Sequence, residues 1–205
     1  RMTFYTANSR GNAKNSLYPN KRVADNEDDF LEIIAFDHVC GEFKEFRRSG
    51  DNFLSCDVDV MDCDNDHSDN PAEWVHPGEL EERLGRDVAF VAVPSRNNMK
   101  PKDGKSARPR FHVYFPHDPI TEGASCTALK RAIQKQFPFF DGNALDCARF
   151  IFGCPSEEIL WHEGEITIDC IAKPQEKGIP QGQRNSTMSH FAGRVLKRYG
   201  DTEKA

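Results

Sequence analysis

The chain has 205 residues, enough for one sizeable core or for two small lobes that share one. Its 38% hydrophobic and 29% charged residues are typical of a globular protein, and no apolar run approaches the ~20 residues needed to cross a bilayer. The net charge of −6 argues against a protein that coats nucleic acid of any sequence, but it leaves open an enzyme with a local basic surface. We therefore expect no membrane partner.

Apolar periodicity predicts the elements of the first half of the chain. Residues 28–46 have near-helical spacing and predict one or two helices, whereas residues 77–85 predict a short helix with Pro near its start and Gly at its end. Strands are predicted at 52–64, 87–95 and 110–116.

The second half continues this mixture of helices and strands. Residues 126–137 predict an amphipathic helix, and residues 148–153 and 165–172 predict two further strands. Because the elements alternate irregularly and no repeat is present, the predicted fold class is α+β with a mostly antiparallel sheet. A segment rich in Pro, Gly and Gln and a second amphipathic pattern follow, so we expect a main domain over 1–175 and, over 176–205, a linker and the start of a C-terminal helical domain.

Seven cysteines are scattered through the chain without a CxxC pair. This pattern favours reduced, mostly buried thiols in a cytoplasmic protein over a disulfide framework or a zinc knuckle. A structural zinc site remains open.

Two charge blocks of opposite sign are the most informative feature of the sequence. Residues 57–73 carry seven acidic residues and no Lys or Arg, whereas residues 95–112 carry six Lys or Arg residues and one acid. Because charge is mixed elsewhere in the chain, the two blocks predict a joint site in which they face each other.

The acidic block taken alone has two simpler interpretations. It could be a solvated loop, or a calcium-binding loop of the EF-hand type. In the calcium frame the ligands would be Asp62, Asp64, Asp66 and Glu73. Calcium is disfavoured because His67 stands where such a loop requires glycine and because a predicted strand, not a helix, precedes it.

Alternating aspartates at the end of a strand suit a catalytic metal. Carboxylates at i and i+2 share one face, and Mg²⁺ needs only two or three of them because it keeps waters and substrate phosphates as ligands. Two registers of opposite parity are available. We favour Asp62 with Asp64, because a polar turn follows at once, and keep Asp57 with Asp59 as the fallback pair.

The basic block leads directly into the predicted strand 110–116. Arg gives bidentate contacts to phosphate oxygens, Lys gives point charges, and an imidazole binds a phosphate oxygen or shuttles a proton. Period two places the apolar Phe111 and Val113 on one face and His112 on the other. The candidate phosphate-binding residues are Lys100, Lys102, Lys105, Arg108, Arg110 and His112.

A third carboxylate is expected near the strand predicted at 148–153. Asp146 precedes this strand and is the residue we favour, with Arg149 as a further nucleotide-binding candidate. Asp141 precedes a glycine, which is typical of a turn former.

Together these motifs resemble the archaeo-eukaryotic primase superfamily, and specifically the primase-polymerase domains of phages and other mobile elements. That superfamily has an apolar strand ending in D-x-D, then an x-His strand, then an apolar-Asp motif. This chain has VMDCD, PRFHVYF and ALDCARF in that order.

The resemblance implies a fold and an activity. The fold is an N-terminal α/β unit packed on an RRM-like, mostly antiparallel sheet, with the carboxylates between them. The activity is template-directed nucleotidyl transfer from rNTPs or dNTPs, which makes or extends primers on single-stranded DNA. Two Mg²⁺ or Mn²⁺ ions would be held by Asp62, Asp64 and Asp146, with His112 as a catalytic residue. The setting would be phage or mobile-element replication in the cytoplasm of a bacterial host, with a helicase domain or protein as a further partner.

The rival interpretation is a non-enzymatic, RRM-like module that binds single-stranded nucleic acid. Such modules use exposed aromatic residues and a basic sheet face. Carboxylates on that face would repel a phosphate chain unless metal ions intervene, so the sequence favours the enzyme.

Overall fold

Two antiparallel sheets form the scaffold of residues 1–174, the part of the chain that this computed structural model describes. Across the first sheet the strands are β2 (Asn20–Ala24), β1 (Met2–Thr6), β3 (His38–Val39) and β8 (Phe150–Ile151). Across the second they are β4 (Gly41–Phe43), β5 (Phe53–Cys63), β7 (Phe111–Ile120), β6 (Phe90–Pro94) and β9 (Leu160–His162). The α-helices are α1 (Glu27–Ile34), α2 (Leu80–Leu84) and α3 (Gly123–Gln136). This architecture agrees with the predicted α+β class.

Strands β5 and β7 lie in the middle of the second sheet. Alternate residues along them point to opposite faces of the sheet and pack in two different layers of the core. Phe111, Val113 and Phe115 of β7 pack in one layer with apolar residues of α3, as period two predicted. On the opposite face, Tyr114 packs against Phe4 of β1 and against α1. The second sheet therefore has α3 on one side and the first sheet with α1 on the other.

Helix α1 begins where the sequence supplies a cap. The side chain of Asn26 accepts a hydrogen bond from the backbone N–H of Asp29, and three acidic residues occupy the first turn, where the helix dipole favours negative charge. Its buried face, which includes Phe30 and Ile33, covers the first sheet.

The buried ring of His38 in β3 links the two sheets by a hydrogen bond to Tyr114 in β7. Its Nδ1 donates to the carbonyl of Phe36, and its Nε2 accepts a 2.8 Å hydrogen bond from the hydroxyl of Tyr114. Burial lowers the pKa of His38 to about 4, although the hydrogen bond to Phe36 opposes that effect. The histidine is therefore neutral at physiological pH.

The helical prediction for residues 28–46 is correct only in its first part. After Ile34 the chain forms β3 and β4 instead, and Val39 pairs with Tyr5 of β1. A Cβ at Gly41 would lie 3.0 Å from the Phe53 ring, so glycine permits the close approach of β4 to β5. Pairing with neighbouring strands overrides the local helical spacing.

The other predicted elements are largely confirmed. Strands β5, β6 and β7 and helices α2 and α3 lie where periodicity placed them, with ends shifted by a few residues. The strand predicted at 165–172 is wrong: a 3-10 helix covers Ile168–Cys170, and Ile166 makes an isolated bridge with Val88. The predicted linker and C-terminal helix beyond residue 174 lie outside the described residues. Among residues 1–174, no helix is long and apolar enough to span a bilayer.

Candidate active site

Asp62 and His112 form a registered pair on the two central strands, close to the end of β5. Antiparallel pairing sets these two residues directly opposite each other, and Nδ1 of His112 lies 2.8 Å from Oδ1 of Asp62. The other carboxylate oxygen of Asp62 accepts a hydrogen bond from Arg149, which precedes β8 of the first sheet. Asp62 therefore lies between the two sheets and is bonded to both.

The electrostatic environment of Asp62 keeps its carboxylate ionised. Burial alone would raise the pKa of Asp62, but His112 and then Arg149 outweigh burial, so the pKa lies well below its usual range. A carboxylate that is ionised, only 14% exposed and placed in a cleft is available as an oxygen ligand.

Asp64 follows β5 directly and is held by the basic block. Nζ of Lys102 donates a 2.8 Å hydrogen bond to Oδ2 of Asp64, and Nε of Arg110 lies 3.9 Å from Oδ1. The hydrogen bond with Asp64 raises the pKa of Lys102, so the ammonium group of Lys102 is charged at neutral pH. The acidic and basic blocks therefore contact each other directly, as the sequence predicted.

A two-residue turn positions the lysines of this contact. Asp103 and Gly104 both have positive φ, and the flanking Lys102 and Lys105 exchange both backbone hydrogen bonds across them. This is the Asp-Gly hairpin geometry, in which positive φ at both central positions is required. As a result Lys105 reaches Asp66, with Nζ 3.5 Å from Oδ1.

Arg108 is an internal part of the acidic loop and does not face the cleft. Its side chain is fully buried, and its guanidinium donates to the carbonyls of Asn65 and Ser68 and to the carboxylate of Asp69. Asn65 itself is buried with φ 54 and donates to the carbonyls of Val75 and Pro109. Burial and these bonds assign Arg108 to loop structure, which differs from the phosphate contact predicted for it.

The side chain of Arg110 is also fully buried, and it lies beside Asp64 and Asp66. It donates to the carbonyl of Lys100 at 2.7 Å and to Asp66 at 3.4 Å, and its Nε is buried without a hydrogen-bond partner within residues 1–174. Lys100, by contrast, is exposed, and its Nζ donates to the carbonyl of Arg96. The predicted phosphate-binding residues therefore divide into a buried pair of arginines and a more exposed set of lysines.

Asp141, interpreted from the sequence as a turn former, forms hydrogen bonds with the backbone of both residues of the favoured pair. Its backbone N–H donates to the carbonyl of Asp62, and its Oδ2 accepts a 3.3 Å hydrogen bond from the N–H of Asp64. Burial, then Asp64 and Asp62, raise the pKa of Asp141 to about 7. A carboxyl group that shares its site with two others and titrates near neutrality is typical of a functional cluster.

Asp146, the favoured third carboxylate, has a different environment. It is exposed, and its Oδ1 accepts a 2.8 Å hydrogen bond from the N–H of Ala148, while its carbonyl accepts one from Lys130. Within residues 1–174 no hydrogen bond or ion pair joins Asp146 to Asp62 or Asp64. Asp62 and Asp64 thus line the cleft and Asp141 is bonded to their backbone, whereas Asp146 belongs to the turn that precedes Arg149.

The fallback pair does not converge on one point. Asp57 accepts hydrogen bonds from the N–H and hydroxyl of Thr3 in β1, whereas Asp59 lies on the α3 side against Cys126. A register shift between Cys56 and Val58 breaks the alternation of β5, so the i and i+2 carboxylates point to opposite sides of the sheet. This corrects the expectation that Asp57 and Asp59 share a face.

One cleft collects these groups between the two sheets. Asp62, Asp64 and His112 line it from the second sheet, and Arg149 lines it from the segment before β8. At its rim the guanidinium of Arg96 stacks over the Phe152 ring at 3.6 Å. The remaining lining residues are Ser95, Asn97, Lys102, Phe150 and Ile151. Sequence reasoning did not identify Arg96 or Phe152, because their relevance arises only when β8 packs beside the end of β6.

Comparison with known proteins gives one structural likeness. The AEP domain of the primase-polymerase of cyanophage S-2L is similar to this chain, with a TM-score of 0.44 at 16% sequence identity, over 80% of this chain and 83% of that chain. No protein-family model matches the chain. No curated protein matches it.

Proposed function

We propose that this domain is a divalent-metal-dependent nucleotidyltransferase that makes or extends primers on a single-stranded DNA template. The observation that carries the proposal is the convergence of Asp62, Asp64 and His112 with Lys102 and Arg149 in one cleft between the sheets. Carboxylates and phosphate-binding cations side by side are what a metal–triphosphate substrate requires.

The donor set at this cleft fits Mg²⁺ or Mn²⁺. Asp62 and Asp64 offer hard oxygen ligands in the cleft, and we propose Asp141, which is bonded to the backbone of both, as a third. Bound there, the ions would lower the pKa of the attacking 3′-hydroxyl and neutralise the leaving pyrophosphate. Lys102 and Arg110 lie beside the carboxylate of Asp64, and Arg149 lies beside that of Asp62.

His112 has one ring nitrogen committed and one available. Nδ1 is bonded to Asp62, and Nε2 makes no hydrogen bond within residues 1–174. The contact with Asp62 fixes the orientation of the ring, so Nε2 is directed to a ligand in the cleft. We assign Nε2 to a phosphate oxygen of the nucleotide.

The triphosphate-binding role belongs to the accessible cations. Lys102 and Lys105 are each 35% exposed by side chain, and Lys100 lies at the surface beside them. Arg149 is 32% exposed and faces the cleft. The buried Arg108 and Arg110 have an indirect role, because they stabilise the loop that carries Asp64 and Asp66.

The remaining parts of the proposal concern context. The second sheet would be the RRM-like element of a primase-polymerase fold. The partners would be template, primer, rNTPs or dNTPs and a helicase, in phage or mobile-element replication in the bacterial cytoplasm. Each is implied by the resemblance of the sequence motifs to primase-polymerase domains of phages and mobile elements.

The rival binding-module function is disfavoured by the positions of the aromatic residues. Stacking platforms expose aromatic side chains on the sheet. Of the large hydrophobic residues exposed within residues 1–174, Phe46 is the aromatic one, and it belongs to a 3-10 helix outside the strands. Towards the cleft the second sheet presents Asp62 and His112, and the aromatic rings that line the cleft, Phe150 and Phe152, are covered by Arg48 and Arg96.

Primer extension tests the proposal. A labelled primer on a single-stranded DNA template is incubated with Mn²⁺ and all four rNTPs, and then with all four dNTPs. We expect template-length products in at least one reaction, and none with chelator. Absence of extension together with metal-independent DNA binding would instead establish the binding module.

A further inference from the structure

A second cluster of ligand-type side chains lies on the opposite face of the second sheet. Cys56 and Asp59 of β5 and His117 of β7 place one thiol, one carboxylate and one imidazole atom within 4.8 Å of one another. All three residues are buried beneath α3. A side-chain set of this kind inside a core requires an explanation, because burying polar groups is costly unless they are paired.

Two atoms of the cluster are buried without a hydrogen bond. Oδ2 of Asp59 and Nε2 of His117 have no hydrogen-bond partner within residues 1–174, although they lie 3.4 Å apart. Their side chains are 4% and 1% exposed. The two atoms therefore face each other in a dry environment.

The other ring nitrogen of His117 determines what Nε2 can offer. Nδ1 lies 2.8 Å from the carbonyl of Asp118, which only accepts hydrogen bonds, so Nδ1 carries a proton. In a neutral imidazole Nε2 then has a lone pair that faces the carboxylate of Asp59. Two acceptors at this distance need a cation between them, either a proton on Nε2 or a metal ion. A histidine whose Nδ1–H is bonded to a carbonyl is the usual arrangement of a metal ligand.

A fourth donor comes from the first turn of α3. Sγ of Cys126 lies 3.3 Å from Oδ1 of Asp59, on the same side of the sheet. Cys56 raises the pKa of the Cys126 thiol, so the two thiols are neighbours. Cys56, Asp59 and His117 thus surround one buried point, and Cys126 adjoins this group through its contact with Asp59.

We propose that Cys56, Asp59, His117 and Cys126 form a structural Zn²⁺ site that fastens the start of α3 to β5 and β7. Zinc takes four ligands of this type in closed tetrahedral sites, whereas Mg²⁺ does not select thiolates. Binding releases the two thiol protons and leaves His117 neutral, with Nε2 as its ligand atom. The buried Lys130, one helical turn after Cys126, supplies a compensating positive charge.

This site is separate from the cleft. Asp59 and Asp62 belong to the same strand, but Asp59 points towards α3 and Asp62 points between the sheets. A zinc ion here would have a structural role, and its presence is independent of whether the cleft transfers nucleotides. The proposal therefore does not depend on the function proposed above.

Metal analysis and cobalt spectroscopy test the proposal. The protein, purified without chelators, is expected to contain one zinc ion per chain, as measured by inductively coupled plasma mass spectrometry. After removal of zinc, titration with Co²⁺ should give thiolate-to-cobalt charge transfer and the intense visible bands of a tetrahedral ion. We expect both signals to be lost in Cys56→Ser and Cys126→Ser and retained in Cys154→Ser and Asp64→Asn.

The wild-type chain alone decides the question if a cysteine variant fails to fold. A folded wild-type protein without zinc, which gives no charge-transfer band with Co²⁺, overturns the proposal. In that case nuclear magnetic resonance of His117 would show protons on both ring nitrogens at neutral pH. The cluster would then be an imidazolium–carboxylate pair.

Discussion

Lys102 binds Asp64 through a 2.8 Å hydrogen bond and so places an ammonium group against a carboxylate that we assign to a metal ion. The contact is partly exposed, with the lysine 35% and the aspartate 19% accessible by side chain. In the metal-free chain Lys102 reduces the repulsion between Asp64 and its acidic neighbours. The lysine and the metal therefore compete for the same oxygen atom.

Replacing Lys102 should strengthen metal binding in the absence of nucleotide. Partly exposed pairs are worth about 0.2–1 kcal/mol, so Lys102→Met should lower the Kd for Mn²⁺ by about 1.4- to fivefold. Calorimetric titration measures this, and Lys100→Met is the matched control because its ammonium bonds to a backbone carbonyl. Weaker Mn²⁺ binding by Lys102→Met would exclude the competition.

Asp141 and Asp146 are distinguished by paired substitutions. Because Asp141 contacts the backbone of Asp62 and Asp64, we expect Asp141→Asn to slow primer extension by on the order of 100-fold. Asp146→Asn keeps an acceptor oxygen for the N–H of Ala148 and should leave extension within several-fold of wild type. The reverse ranking of rates would restore Asp146 as the third carboxylate.

Arg108 should affect stability more than nucleotide binding. Its buried guanidinium satisfies the carbonyls of Asn65 and Ser68, so Arg108→Met leaves these acceptors unpaired and should lower the free energy of unfolding by about 3 kcal/mol. Lys105→Met, at a partly exposed pair, should change it by less than about 1 kcal/mol. Urea denaturation provides both values. An Arg108→Met protein of wild-type stability that no longer binds nucleotide would identify a ligand contact instead.

His38 should make the fold sensitive to mild acid. Its pKa is about 4 in the folded chain, below the ordinary 6.5, so the unfolded chain binds more protons between these values. The free energy of unfolding should therefore fall as the pH decreases from 6.5 to 4, by about 3 kcal/mol in total from this group. His38→Gln should lose that part of the pH dependence, whereas the exposed His67→Gln should keep it. An unchanged acid slope in His38→Gln would contradict this account.

Local hydrophobic periodicity was sufficient to predict the long strands and helices of the fold. Period two along Phe111, Val113 and Phe115 correctly separated the core face of β7 from the face with His112, because both faces of that strand pack against different layers. The short strand with Val39 was missed. Its conformation depends on pairing with β1, more than thirty residues away, and no local spacing records that partner.

The site shows the same division between local and long-range information. The opposite charge blocks of the sequence do meet, as the pair of Lys102 and Asp64 shows. Burial, however, was not predictable from residue type. Arg108 and Arg110 are completely enclosed, and Asp141 approaches the cleft because the chain turns back after α3. The bulge that turns Asp57 away from Asp59 is likewise a property of strand pairing.

Asp64→Asn tests the central assignment most directly. The substitution keeps the size of the side chain and one acceptor oxygen but removes the charge that a metal ion requires. Primer extension under Mn²⁺ is measured for both proteins together with their thermal unfolding. We predict an unchanged melting temperature and a loss of extension on the order of 1,000-fold. A stable Asp64→Asn protein that extends primers at the wild-type rate would contradict the account.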